Sequence, residues 1–107
     1  MPQFVVRLNH PPDQCPTSNS KVRERAAKGA TEIPKLAQKH GIKFIAGPLV
    51  LDAEHEGIAV VEAERPEAIH AFVLESGLMQ WNSIRVTLAQ SLVESMQELE
   101  KVPPPIY

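Results

Sequence analysis

The residues best suited to chemistry in this sequence are a histidine and a cysteine, His10 and Cys15, separated by four residues. An imidazole nitrogen and a thiolate sulfur are ligands that soft or borderline metals accept. With a third ligand, which a partner subunit could supply, the pair would hold zinc or copper. The alternative is a structural loop histidine beside a free thiol. A nucleophilic role for Cys15 has no support, because no histidine adjoins it in the sequence.

A second group of candidates combines two arginines, Arg7 and Arg85, with Asn9. The arginines are expected on the same face of neighbouring strands. Two guanidinium groups in a partly closed space would attract a carboxylate or an enolate, and so hold an organic acid. His10 would then act as the acid–base group or as a metal ligand, which makes Arg7, His10 and Arg85 the catalytic candidates. Alternatively, the arginines pair with Glu62 or with carboxylates of a partner subunit.

The predicted ligand-binding residues are Asn9, His70, Trp81 and Asn82. The last two should approach His10, because the fourth predicted strand begins where the first one ends. Trp81 is the only tryptophan, and it either stacks on a flat ligand or packs at an interface between subunits. His70 lies near the edge of an apolar helical stripe, which predicts a partly buried histidine bonded to backbone.

The other two histidines have simpler interpretations. His40 stands at the end of the first predicted helix, where a cation interacts favourably with the helix dipole. His55 lies between Glu54 and Glu56 in a polar turn, which predicts a solvated residue. No pair of histidines has a metal-site spacing such as HExxH or HxH. The sequence therefore assigns neither His40 nor His55 to a site.

The first half of the chain predicts a strand, a helix and a second strand. Gln3–Asn9 alternates between two faces with the period that is typical of a strand. Residues 19–40 repeat apolar side chains at helical spacing after good N-cap residues, and Pro34 should kink this helix or split it at the preceding residue. Residues 42–51 form the second strand. The Gly47–Pro48 pair should give that strand a bulge or confine it to a sheet edge.

The second half predicts a strand, a helix, a strand and a short final helix. Residues 58–63 are almost continuously apolar, which indicates a central strand covered on both faces. Residues 66–77 are predicted to form the second helix. Pro66 opens it in the first turn, where proline is tolerated, and Gly77 ends it. Residues 83–88 alternate as the fourth strand. An amphipathic helix at 91–101 and a proline-rich tail at 102–107 complete the chain.

The order strand, helix, strand, strand, helix, strand predicts an α+β fold of the ferredoxin-like βαββαβ type, with an extra short C-terminal helix. Residues 1–101 form a single domain and 102–107 its tail. The first and third strands are expected to lie parallel in the centre, with the fourth antiparallel beside the first. Both longer helices should cover one face of the sheet. The other face is too apolar to stay bare, so we expect a homodimer that packs sheet to sheet.

Composition limits the partners and the location. The chain of 107 residues has 11 basic and 13 acidic side chains and a net charge of −2, which argues against nucleic acid as a partner. Its single cysteine excludes an intrachain disulfide. The first residues lack the pattern of a secretory signal, and no apolar stretch approaches the roughly 18 residues that span a bilayer. The expectation is a cytoplasmic protein without a membrane partner.

The order of elements, the strand at 58–63 and the segment 75–82 before the last strand together resemble the dimeric α+β barrel superfamily. That group includes antibiotic-biosynthesis-type monooxygenases, muconolactone-isomerase-like proteins and many small uncharacterised members. The resemblance implies a homodimer with a ligand cavity between the helices and the sheet, or inside the barrel. Some members bind haem through a helical histidine, which implies His70 as a haem ligand and haem as the alternative to zinc or copper.

Two functional hypotheses from different classes follow. The first is a cofactor-independent or metal-assisted monooxygenase or isomerase that acts on a small organic acid or aromatic molecule. The second is a non-catalytic homo-oligomeric module that binds a small ligand, a metal, or a partner protein through its proline-rich tail. A fold of this kind does not decide between them, so the sequence leaves open whether the protein is an enzyme.

Overall fold

The structure, a computed structural model, describes residues 1–106, which form a four-stranded antiparallel sheet and three α-helices. In chain order the elements are β1 (Gln3–Asn9), α1 (Ser20–Lys39), β2 (Lys43–Leu51), β3 (Glu56–Glu62), α2 (Pro66–Glu75), β4 (Ser83–Ala89) and α3 (Leu92–Glu98). This α+β order is compatible with a ferredoxin-like fold. No helix within residues 1–106 is long and apolar enough to cross a membrane. Tyr107, the end of the predicted tail, lies outside the described residues.

The strands are ordered β2-β3-β1-β4, and every neighbouring pair is antiparallel. The prediction that β1 and β3 run parallel is therefore wrong, whereas the antiparallel pairing of β4 with β1 is confirmed. The connections explain the difference. The crossover through α1 makes β2 run in the direction of β1, with one position left between them. A tight turn then reverses the chain, so β3 fills that position in the direction opposite to β1.

The core lies between one face of the sheet and the helices α1 and α2. Phe4 and Val6 of β1 pair with Val61 and Ala59 of β3, so that all four side chains point to this face. They are buried together with six residues from the helices and connections, namely Ala37, Ile42, Ala63, Ile69, Phe72 and Val73. Burying one large apolar side chain stabilises a fold by about 1.5–3 kcal/mol. This layer therefore holds both helices on one face, as predicted.

Pro34 was predicted to kink α1 or to split it; the helix is continuous from Ser20 to Lys39, so it is not split. Its start is fixed by Asn19, whose side chain accepts hydrogen bonds from the backbone N–H groups of the next turn. Pro34 removes one backbone hydrogen bond. Its neighbours Ile33 and Leu36 pack against the core, and this tertiary packing keeps the helix intact across the proline.

Strand β2 lies at an edge of the sheet and is irregular, as the Gly47–Pro48 pair predicts. Its register with β3 shifts twice, between Phe44 and Ala46 and between Ala46 and Leu49. Gly47 has a φ of 85°, and a Cβ at that position would lie 2.7 Å from the backbone oxygen of Ile58. Only glycine fits so close to the neighbouring strand in this conformation. The bulge therefore separates the regular first half of β2 from the segment that leads to the turn before β3.

The second face of the sheet, which the sequence predicts a second copy to cover, is only partly covered within one copy. Val5 and Val60 lie opposite each other on β1 and β3 and are half-buried, and Arg7 on the same face is exposed. Helix α3 exposes its apolar side as well, since Leu92 is 77% and Met96 55% exposed. Residues 1–106 of one copy thus do not cover both faces of β3. We call the face that carries Val5 and Val60 the open face.

Candidate functional site

Three side chains from different segments converge where β1 ends. His10 directly follows β1, Cys15 lies in the loop before α1, and His55 lies in the turn between β2 and β3. One nitrogen of each imidazole and the sulfur of Cys15 all lie within 4.8 Å of one another. His10 is 7% exposed and Cys15 is 3% exposed, while His55 is half-buried. We call this group the His10–Cys15–His55 cluster.

The tautomer of the His10 ring is set by a chain of hydrogen bonds. Asn82 Nδ2 donates to the carbonyl oxygen of Leu78 at 3.1 Å, so Asn82 Oδ1 is the atom 2.9 Å from His10 Nδ1. A carbonyl oxygen only accepts, and His10 Nδ1 therefore carries the proton. In the neutral ring the lone pair is then on Nε2, which is buried and without a hydrogen-bond partner among residues 1–106. Metal-binding histidines are oriented in the same way by a partner on their other nitrogen.

Cys15 is held by a compact loop and has an unusually acidic thiol. Its backbone N–H donates to Pro12, and its carbonyl oxygen accepts from Ser18 and Asn19, which ties the loop to the start of α1. The hydroxyl of Thr17 donates to Cys15 Sγ at 3.0 Å. Hydrogen bonds from the side chain and backbone of Thr17, followed by smaller contributions from the two histidines, lower the pKa of the Cys15 thiol to about 6, although burial opposes them. Cys15 is therefore largely a thiolate at neutral pH.

His55 occupies a backbone conformation that few residues adopt. It has a φ of 55° and a ψ of 43°, and its N–H donates to Asp52 at the end of a short 3₁₀ turn. Its carbonyl oxygen accepts from the backbone N–H of His10 at 3.1 Å, so the two histidines are joined through their backbones. Their rings meet edge to face with centroids 5.7 Å apart. His55 Nδ1 is buried and has no hydrogen-bond partner within residues 1–106.

The prediction that His55 is a solvated turn residue is wrong, and the error has a structural cause. In the antiparallel register of β1 and β3, Asn9 pairs with Glu56, which places His55 beside His10. The expected parallel pairing would have put the start of β3 at the opposite end of β1. The signal that could have found His55 is therefore strand direction, since the residues around it have no ligand spacing.

The cluster opens on a cavity of about 400 Å³ between α1 and the end of the sheet. His10, Cys15 and His55 line one end of it. Trp81 lines it as well, with its ring centroid 5.2 Å from that of His10. The predicted approach of Trp81 and Asn82 to His10 is therefore confirmed. A cavity of this size can enclose a small organic molecule.

The two predicted arginines lie elsewhere. Arg7 and Arg85 pair directly across β1 and β4, as predicted, and both are exposed on the open face together with Asn9. Side chains alternate along a strand, so Leu8 faces the cavity while its two neighbours face away from it. The structure thus brings the arginines together with each other and with Asn9, but not with His10.

The remaining predicted histidines also lie outside the cluster. His70 is exposed on α2, so the prediction of a partly buried residue is wrong. The buried stripe of α2 includes its neighbour Ile69, and one residue turns the helix by about 100°. His40 follows α1 and lies 3.2 Å from Glu75. Hydrogen bonds from Lys39 and then His40 hold the pKa of the Glu75 carboxyl below its ordinary value, which links the ends of α1 and α2.

Two imidazoles and one thiolate form a ligand set that zinc and copper accept. Bonds of about 2.0–2.3 Å would place tetrahedral ligand atoms about 3.3–3.8 Å apart. Since the three ligand atoms lie within 4.8 Å of one another, a contraction of no more than about 1.5 Å would bring them to these separations. Three protein ligands leave a fourth position free, and the adjoining cavity gives a small molecule access to the cluster.

The segment 75–82, on which the family resemblance partly rests, supplies two of the residues around the cluster, Trp81 and Asn82. The βαββαβ order itself says little about function, because one fold supports many activities. Comparison of the chain with family models, with curated proteins and with solved structures gives no match, so its resemblance to the dimeric α+β barrel proteins stays a prediction.

Proposed function

We propose that this protein binds a soft or borderline transition metal, zinc or copper, through His10 Nε2, Cys15 Sγ and His55 Nδ1. The observation that carries the proposal is the convergence of one ligand atom from each of the three residues to within 4.8 Å. Both histidines of this group also have a buried ring nitrogen without a hydrogen-bond partner at bonding geometry among residues 1–106. Burying a polar atom without a partner costs free energy, and such atoms in a folded protein call for an explanation. A metal ion between the three groups would provide a partner for both nitrogens at once.

The environment of the cluster supports the same proposal. The low pKa of Cys15 means that the thiolate, the form that ligates metals, is present at neutral pH without a metal. Asn82 holds the His10 ring in the tautomer that offers a lone pair to the cluster. A reducing compartment such as the cytoplasm, where we propose the protein acts, would keep Cys15 unoxidised.

The cavity favours a catalytic form of this proposal. Metal sites with three protein ligands and one free position are typical of catalysis, whereas structural zinc sites are closed by four. A metal in the cluster would act as a Lewis acid on a molecule bound in the cavity. A metal-assisted monooxygenase or isomerase would use it in this way, and a non-catalytic metal-binding module would use the three ligands alone.

The direct test is a metal titration of the untagged protein after treatment with a chelator. We expect one zinc or copper ion per chain by elemental analysis, and loss of that ion in His10→Ala, Cys15→Ser and His55→Gly variants. His70→Ala, which changes an exposed histidine, is the matched control and should retain the metal. Failure to bind either metal at micromolar concentration, or binding that survives all three changes, would contradict the proposal.

A second candidate function, chemistry of the thiolate itself, is favoured by the same low pKa of Cys15. Buried cysteines are ordinarily inert, but this one lines the cavity. Alkylation with iodoacetamide separates the two candidates. If the cluster is a metal site, one equivalent of zinc protects Cys15 from alkylation. If Cys15 acts as a free nucleophile, it reacts at the same rate with and without zinc.

The apolar surface left by one copy supports a homodimer. The open face has half-buried Val5, Ile58 and Val60, and α3 exposes Leu92 and Met96. Exposed apolar surface beyond scattered single residues is typical of an interaction site. We propose that a second copy covers it, as the family resemblance implies. Sedimentation that finds only monomer at micromolar concentration would contradict this part of the proposal without affecting the metal site.

A further inference from the structure

The wall of the cavity contains one arginine, Arg25 of α1, which forms no ion pair among residues 1–106. Its Nε donates to Gln80 Oε1 at 3.0 Å, which fixes the direction of the guanidinium group. Its Nη1 is buried and has no hydrogen-bond partner among residues 1–106. The ion pairs within this part of the chain involve Lys39, His40 and Arg65, and none involves Arg25. Arg25 is therefore half-buried in the cavity wall and has no anionic partner within residues 1–106.

The backbone next to Arg25 leaves room for the guanidinium group. Gly77, which follows α2, has a φ of 81°, and a Cβ built on it would overlap the guanidinium. Any other residue at that position would be strained and would displace the group. The side chain is thus packed in place by Gly77 on one side and oriented by Gln80 on the other.

The rest of the cavity wall is mostly apolar. The apolar part of the wall includes Leu8, Ala26, Ala30, Ile33, Leu78 and Trp81. Two acidic residues, Asp52 and Glu56, line the end near the turn before β3. Glu56 pairs with Asn9 at the end of β1, and Asp52 is exposed. Neither carboxylate lies within ion-pair distance of the Arg25 guanidinium.

We propose that the cavity binds a small organic anion, a monocarboxylate with an apolar or aromatic body. The carboxylate lies beside Arg25, because a guanidinium group is a strong and specific partner for that group. The body lies against Leu78 and Trp81 and extends toward the His10–Cys15–His55 cluster. This inference adds a ligand class to the metal site and does not need the metal, since Arg25 and the apolar wall belong to the chain itself.

The test uses Trp81, the only tryptophan of the chain, as a reporter in the cavity wall. Chelator-treated protein is titrated with 3-phenylpropanoate, with the neutral 3-phenylpropanamide and with propanoate, and Trp81 fluorescence is followed. We expect saturable binding of 3-phenylpropanoate that is about 10-fold tighter than that of the amide, since hydrogen bonds to charged groups are the stronger ones. Propanoate, which lacks the aromatic body, should bind most weakly.

Variants on α1 locate the anion. Arg25→Gln should abolish the difference between carboxylate and amide, and Arg25→Lys should keep part of it. Lys28→Gln changes an exposed cation on the same helix and should leave the difference intact. Equal binding of carboxylate and amide to the unaltered protein, no saturable change with either, or a preference that survives Arg25→Gln would each overturn the inference. Circular dichroism of each variant shows whether it is folded.

A repeat of the titration with zinc present separates this inference from the proposed function. If zinc does not bind but the Arg25-dependent preference persists, the anion site stands and the metal site falls. If zinc binds and the preference is absent, the reverse holds. A preference that appears only with zinc and survives Arg25→Gln would place the carboxylate on the metal, and would overturn the role of Arg25.

Discussion

On the open face of the sheet, Arg7 and Arg85 lie opposite each other in contact with solvent, whereas at the end of β1 the buried His10 lies close to Cys15 and His55. The arginines come from two adjacent strands and share a face by alternation alone. The cluster draws on a strand end, a loop and a turn, and burial brings its members together. Reactive side chains become a site when several segments converge around them away from water, because charges then interact more strongly than in solvent.

The largest expected difference between the two regions is in metal affinity. Replacing Cys15 by serine removes the softest ligand, and we expect at least about 100-fold weaker zinc binding. Mutating a residue that only hydrogen-bonds to a metal ligand already lowers metal affinity by about 10–100-fold. Arg7→Ala and Arg85→Ala should change the zinc dissociation constant by less than about 2-fold, since neither residue contacts the cluster. Competition with a chromophoric chelator measures both. Equal effects at the two regions would mean that zinc is not bound at the His10–Cys15–His55 cluster.

A smaller effect is expected when the orientation of His10 is disturbed. Asn82→Leu removes the acceptor for His10 Nδ1 but no ligand, and zinc binding should weaken about 10- to 100-fold. Ser83→Ala changes the next residue, which is exposed, and serves as the matched control. If Asn82→Leu binds zinc as tightly as the unaltered protein, Asn82 does not position His10.

The acidity of Cys15 gives a pH prediction for the metal-free protein. Thiolate absorbance near 240 nm should rise with a pKa of about 6, and Thr17→Val should move this pKa upward because it removes the largest stabilising hydrogen bond. Thr31→Val, at an exposed site on α1, should not. A thiol that titrates near its ordinary value of 9.0 in the folded protein would contradict the account of the loop.

The same pKa shift predicts how stability depends on pH. Between about pH 6 and 9 the unfolded chain binds a proton at Cys15 that the folded chain does not bind. The free energy of unfolding should therefore rise with pH across this window, and the gain should be lost as pH falls through 6. Cys15→Ser should lack this component when urea unfolding is compared at both ends of the window. Identical pH dependence in the two proteins would contradict the shift.

The smallest effect expected is on stability at His55. Glycine adopts the left-handed conformation without the penalty that a side chain incurs, so His55→Gly should raise the free energy of unfolding of the metal-free protein by up to about 1 kcal/mol. His55→Ala keeps the penalty and should not be stabilised. Urea unfolding measures both. Destabilisation by the glycine variant would mean that His55 supports the fold rather than a ligand.

Alternation and apolar runs in the sequence predicted the type and order of the main elements. Residues such as Phe4 and Val6 recur at every second position, and this spacing identifies the buried face of a strand. The approach of Trp81 and Asn82 to His10 followed from the adjacency of two strand ends. The predicted direction of β3 relative to β1 was wrong, and for that reason the sequence did not identify His55 as part of the site. Arg25 was missed because its role depends on the packing of α1 against Gly77, which no local pattern encodes.

X-ray absorption spectroscopy of the zinc-loaded or copper-loaded protein tests the central claim most directly, because it reports the atoms bound to the metal. We predict one sulfur at about 2.3 Å and two imidazole nitrogens at about 2.0 Å, together with one lighter atom at the free position. Cys15→Ser should remove the sulfur contribution. A first shell of oxygen and nitrogen without sulfur in the unaltered protein would contradict the assignment of the metal to the His10–Cys15–His55 cluster.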